Sequence, residues 1–157
     1  MMLATPFGRH LHVTCSDGGV TESRFVAKPA GHDTERSHPL EADVRRQLDA
    51  YFARKLRRFD VPLVLAGTPF QVEVWRAVAA IPSGALASYA DVARAIGRPN
   101  AHRAVAAALT RTPLALFVPA HRVVGADGRA RGAAPGSLRR RLIAFEAAPS
   151  ARSASRA

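Results

Sequence analysis

Apolar positions keep a two-residue period near the start of the chain and a helical period further on. From His10 to Val26, HLHVTCSDGGVTESRFV alternates apolar and polar residues on either side of Ser16-Asp17-Gly18-Gly19. That pattern predicts two strands joined by a hairpin turn. Leu11, Val13 and Cys15 share one side, which makes Cys15 a small hydrophobe of the core. The polar stretch AKPAGHDTERSHP then reads as a loop. EADVRRQLDAYFARKL brings Val44, Leu48, Tyr51 and Phe52 onto one helical face, and RFDVPLVLA reads as another short strand. Residues 1–66 are thus expected to form an α/β scaffold unit with no evident chemistry.

A second unit, 67–147, opens with a strong helix-start signal. Thr68 is a fitting N-cap, Pro69 suits the first helical position, and Gln71 completes a capping box. Phe70, Val74, Trp75, Val78 and Ile81 face the core, and the helix is expected to stop at Pro82. In ASYADVARAIGRPNAHRAVAAALTRTP, Ser88 caps a helix with Asp91 three residues on, and Val92 and Ile96 face inward. Gly97 closes that helix, and Asn100 is read as the cap of a second one ended by Pro113. Two short helices joined by a tight glycine turn predict a helix-turn-helix. LALFV then reads as a buried strand delivering Pro119-Ala120-His121-Arg122. SLRRRLIAFE is a final helix with Leu138, Leu142 and Phe145 inward, and 148–157 reads as a disordered basic tail.

The second helix of the pair, AHRAVAAAL, carries few long polar side chains apart from His102 and Arg103. Two readings stand level. Its small residues could let the backbone approach the DNA minor groove with one inserted arginine as a wedge. Alternatively, it packs inside the protein with Arg103 in a salt bridge.

Charge bears on that choice. The chain has 157 residues and a formal net charge of +11. After residue 100 the basic side chains are Arg103, Arg111, Arg122, Arg129, Arg131, Arg139, Arg140, Arg141, Arg152 and Arg156, opposed only by Asp127 and Glu146. A positive field concentrated there points to a polyanionic partner, although LRRRL also fits a solvated helix face. Cys15 is the only cysteine, which excludes an internal disulfide and a multi-cysteine metal site. The histidines are scattered, and His10 with His12 reads as a surface pair, so no metal and no cofactor are expected. No window is long and apolar enough for a membrane span or a signal peptide, giving a soluble, cytoplasmic and nucleoid-associated expectation.

FQVEVWRAVAAIPSGALASYADVARAIGRP, then RAV, then TPLALFVPAHRVVGADG resembles the O6-alkylguanine-DNA alkyltransferases, the methylated-DNA–protein-cysteine methyltransferases. The resemblance runs from about Gly67 to Glu146. It implies an α/β (α+β) fold with an N-terminal ribonuclease-H-like domain and a mainly helical, winged-helix-like C-terminal domain. It also implies minor-groove binding, rotation of the damaged nucleotide out of the stack, and transfer of the alkyl group to a cysteine in a Pro-Cys-His-Arg loop. By position, Arg103 matches the arginine that fills the vacated stack, and Tyr89 the tyrosine that helps turn the nucleotide. Ser88, Asn100, Ala101, His102, Ala106 and Arg111 complete the implied DNA-binding set. Val118, Pro119, Ala120, His121, Arg122 and Ala133 form the implied lesion pocket. His121 and Glu146 match the partners that, through a water, hold the family's cysteine as thiolate.

Ala120 occupies the cysteine position. A methyl group has no lone pair, so no pKa tuning can make it an acceptor, and direct transfer by the family's mechanism is excluded. Thr112 stands where the family usually has an asparagine, and Ala133 where it has a pocket tyrosine, which costs stacking on a flipped base worth about 1–3 kcal/mol. The pattern resembles the alkyltransferase-like subgroup, which binds alkylated DNA without repairing it. The leading expectation is therefore a monomeric, non-enzymatic lesion-recognition protein whose partners are O6-alkylguanine duplexes and nucleotide-excision-repair proteins. The alternatives are a methyltransferase whose acceptor was substituted by design or relocated to Cys15, and a lesion-blind DNA-binding module.

Overall fold

The structure is a computed structural model describing residues 1–29, 37–129 and 136–148. The loop residues 30–36, the Ala133 position and all of the expected tail after Ala148 lie outside them. The fold is mixed α/β, and the chain divides into two compact units. One comprises Met1–Val64 with Pro113–Phe117, the other Leu65–Thr112 with Val118–Ala148.

In the first unit, strands β1 (Met2–Ala4), β2 (His10–Ser16) and β3 (Gly19–Val26) form an antiparallel sheet in that order. Helix α1 (Leu40–Phe52) buries Val44, Leu48 and Tyr51 as its periodicity demands. The hairpin falls where Asp17-Gly18 predicts it, with Ser16 opposite Gly19. Gly19 has φ +133°, and a Cβ there would sit 2.3 Å from the Pro62 carbonyl oxygen, so glycine is required. That close approach accounts for RFDVPLVLA. Instead of a strand it makes an isolated parallel bridge, Val20 with Leu63, with Val20 N–H donating to Pro62 O and Val64 N–H to Val20 O.

Two other expectations change in this unit. The β2–β3 register shifts between Thr14 and Cys15, so the alternation that fully buries Leu11 and Val13 leaves Cys15 only half-buried. LALFV is not a regular strand either. Leu114 bridges Ser23, the Ser23 hydroxyl donates to Ala115 O at 2.6 Å, and Leu116 has φ +75°. A buried leucine in the left-handed region costs about 1–2 kcal/mol and turns the chain where a strand would continue. Those bonds place 113–117 in the first unit and interrupt the second. Gln47, facing inward from α1, is buried as well. Its side chain donates to Asp60 O and accepts from Asp60 N–H, pinning the segment that follows the helix.

The second unit carries α2 (Pro69–Ala79), α3 (Tyr89–Ala95), α4 (His102–Thr110) and α5 (Leu138–Ala147). A short parallel pair, β4 (Ala87–Ser88) with β5 (Val123–Val124), completes it. The capping box on α2 is present, with Thr68 Oγ1 accepting from Gln71 N–H and Gln71 Oε1 from Thr68 N–H, although the helix ends at Ala79, short of Pro82. Trp75 is buried and donates its indole N–H to Ala108 O at 3.0 Å, locking α2 to α4. No helix among the described residues is long and apolar enough to cross a membrane.

Candidate nucleic-acid interface and acceptor turn

Local chemistry builds the helix pair from α3 onward. Ser88 Oγ accepts from Asp91 N–H at 3.0 Å, and Asp91 Oδ2 accepts from Ser88 N–H at 2.9 Å. At the other end, Gly97 N–H donates to Arg94 O and Arg98 N–H to Ala93 O, while Gly97 takes φ +75°. That double bond with a left-handed glycine is a Schellman stop, and it turns the chain into α4.

The backbone hydrogen bond from Ser88, then its hydroxyl, hold the Asp91 carboxyl below the usual aspartate range. A folded-state value below the unfolded one stabilises the fold above about pH 3.9, and this contribution disappears as pH falls through the lowered value. The stability gap between the protein and its Asp91→Ala variant is therefore expected to close below about pH 4, read by urea unfolding at several pH values. A gap that stays constant from neutral pH down into strong acid would contradict this.

Asn100 does not cap α4. Ala101 holds that position after a turn closed by Ala101 N–H donating to Arg98 O, and its methyl accepts nothing, so the first amides of α4 have no side-chain cap. The helix buries Val105, Ala108 and Leu109, while Arg103, Ala107 and Thr110 share the opposite, exposed face at i, i+4, i+7. The internal reading of this helix thus holds for one face only. Of the arginines from Arg94 to Arg111, Arg94 pairs with Asp91, and Arg98 reaches Glu73 at 3.8 Å and stacks on Phe70. Arg103 and Arg111 are exposed and make no ion pair among the described residues. Asn100 and His102 are exposed, whereas Ser88, Tyr89, Ala101 and Ala106 are half-buried. Ala107 and Thr110, absent from the sequence-derived set, lie below Arg103, and the helical period alone could have found them.

β4 pairs in parallel with β5, setting Ser88 beside Val124, directly after the Pro119–Arg122 turn. Ala120–Arg122 is one turn of 3₁₀ helix closed by Arg122 N–H donating to Pro119 O. Within Val118–Arg122 only Ala120 is half-buried; the rest are buried. His121 and Arg122 both meet Glu146, which α5 supplies. His121 Nε2 lies 2.8 Å from Glu146 Oε1, Arg122 Nη2 donates to Oε1 at 2.8 Å, and Arg122 Nε donates to Oε2 at 2.9 Å. Arg122 Nη1 also donates to Ile81 O at 2.7 Å.

Arg122 is therefore an internal strut, not a free cation of the pocket rim, which its place beside His121 did not foretell. A carboxylate oxygen accepts, so Nε2 is the donor in the contact with Glu146, and Nδ1 lies outside that contact. The turn retains a positioned base at position 121 beside a residue that has no proton to lose. Burial, with the nearby Glu41 carboxylate, pushes the Cys15 thiol up, the reverse of what activates a nucleophile. Among the described residues no cluster of three His, Cys, Asp or Glu side chains could hold a metal.

A capped helix-turn-helix whose outer face presents Arg103, in no ion pair among the described residues, has the form of a nucleic-acid-binding unit, and comparison with known proteins gives its family. Residues 69–148 match the DNA-binding domain of 6-O-methylguanine DNA methyltransferase, and the chain belongs to that family. It is 47% identical over 94 residues to a methylated-DNA–protein-cysteine methyltransferase of Methanosarcina barkeri, covering 60% of each chain. The corresponding figures for the Mycobacterium leprae relative are 47% over 105 residues, 67% of this chain and 63% of the other. The match thus spans under two thirds of the length of these relatives. Among solved structures, the O6-methylguanine methyltransferase of Mycobacterium tuberculosis superimposes with TM-score 0.76 at 35% identity, covering 94% of this chain and 93% of that one. The Mycobacterium tuberculosis OGT in complex with DNA gives TM-score 0.78 at 35% identity, covering 92% and 90%.

Proposed function

We propose that this protein recognises O6-alkylguanine in duplex DNA without removing the alkyl group. The observation that carries the reading is Ala120, seated in the turn where the family resemblance expects the acceptor cysteine, beside His121 and Glu146. On this reading α4 enters the minor groove with Arg103 as the wedge, Ala107 and Thr110 leave room for the backbone, and Tyr89 helps turn the nucleotide. Flipping costs a few kcal/mol, less where the lesion already weakens pairing, so selectivity needs no chemistry. The held lesion would then be marked for nucleotide-excision-repair proteins.

Titration of a duplex carrying one O6-methylguanine against its undamaged twin tests the reading, at a stated salt concentration because phosphate contacts weaken steeply with salt. The lesion duplex is expected to bind at least about 10-fold more tightly. Arg103→Ala is expected to lower that affinity by about 5- to 150-fold, the span of a stacking contact worth about 1–3 kcal/mol. Equal affinity for the two duplexes would leave a lesion-blind DNA-binding module. Methyl label retained on the wild-type protein would restore the transferase reading.

A further inference from the structure

The solvent side of α5 carries a groove that the DNA-facing reading does not use. Leu142 and Glu146 turn inward, while Arg140, Ile143 and Ala144 lie on the opposite face at i, i+3, i+4. With Leu86, Gly128 and Arg129 they line a groove of about 430 Å³, within the second unit. Its floor is apolar, and Leu86, 47% exposed, is the one large apolar side chain left open to solvent among the described residues. Its rim holds two guanidinium groups, from Arg129 and Arg140, that make no ion pair among the described residues. Asp127, two positions before Arg129, accepts the Arg129 backbone N–H.

We propose that this groove is a docking site for an acidic, amphipathic segment of a partner protein. One or two apolar side chains would cover Leu86, Ile143 and Ala144, and flanking carboxylates would meet Arg129 and Arg140. Charge selects this occupant over the others. The chain's own residues 149–157 carry Arg152 and Arg156 and no acidic side chain, so their side-chain charge has the sign of the rim. A second copy brings a net charge of +11 against +11. A DNA backbone satisfies the arginines but leaves the apolar floor uncovered. The site does not depend on lesion recognition: a chain blind to lesions would still present it.

The test is fluorescence anisotropy with a labelled peptide of about 12 residues built from Glu, Asp, Leu and Phe. Two control peptides accompany it, one with every Leu and Phe replaced by Ser, the other with every acid replaced by its amide. The full peptide is expected to bind at least about 10-fold more tightly than either control. The double variant Arg129→Glu with Arg140→Glu, and separately Leu86→Ser, are each expected to weaken it at least about 10-fold. Amide shifts are expected at Leu86, Gly128, Arg129 and Ile143. Three results would overturn the proposal: equal binding of either control peptide, indifference to these substitutions, or a loss of undamaged-duplex affinity as large as the loss of peptide affinity. The control peptides use the wild-type protein, so the proposal stays testable even if a variant misfolds.

Discussion

An A120C variant is expected to take up about one methyl group per molecule from an O6-methylguanine duplex, where the wild-type protein takes up none. The reaction needs a sulfur lone pair to attack the methyl carbon while the O6–carbon bond breaks and the guanine oxygen leaves with the electron pair. It also needs a base to draw off the thiol proton. Position 120 opens the 3₁₀ turn and is half-buried, and the neighbouring His121 is held through Nε2 by Glu146, which leaves Nδ1 outside that contact. A sulfur installed there meets machinery already in place. Adding His121→Ala to the A120C variant is expected to slow uptake by about 10²–10⁴-fold, the usual worth of a positioned general base. Uptake of label from methylated DNA, counted per mole of protein, reads both effects. Label on the wild-type protein that disappears with Cys15→Ser would instead reinstate Cys15 as the acceptor.

Glu146→Ala is expected to destabilise the second unit by about 3–5 kcal/mol, because it removes the counter-charge from a buried guanidinium. Arg122, Glu146 and His121 are each buried, and the same carboxylate binds both partners. Without it Arg122 keeps its bond to Ile81 O, but a carbonyl dipole does not replace a charge. Glu146→Gln removes the charge as well but keeps the shape and one acceptor oxygen, so a loss at the lower end of that range, about 3 kcal/mol, is expected. Trp75 is the only tryptophan and sits in the same unit, so its fluorescence during urea unfolding reports the loss directly. A change below about 1 kcal/mol in Glu146→Ala would mean the triad contributes nothing net to the fold.

What could be read along the chain, and what could not, divides by the distance over which each interaction acts. The boxes Thr68–Gln71 and Ser88–Asp91 and the Gly97 stop involve partners within a few residues, and they formed where their spacing puts them. Asn100 failed as a cap by one position, because the turn bond from Ala101 to Arg98 moved the helix start onto an alanine. Cys15 lost its core position to a bulge that depends on how β2 and β3 pair.

Capping and periodicity along the chain were enough for the mixed α/β class and the helix-turn-helix, motif resemblance pointed to the family, and residue identity alone put an alanine at position 120. Packing settled the rest. Arg122 finds Glu146 across 24 positions, Leu114 bridges Ser23 across the chain, and Leu63 docks against Val20. Such pairings depend on which surfaces meet after the helices and strands exist, and a one-dimensional pattern carries no record of that meeting.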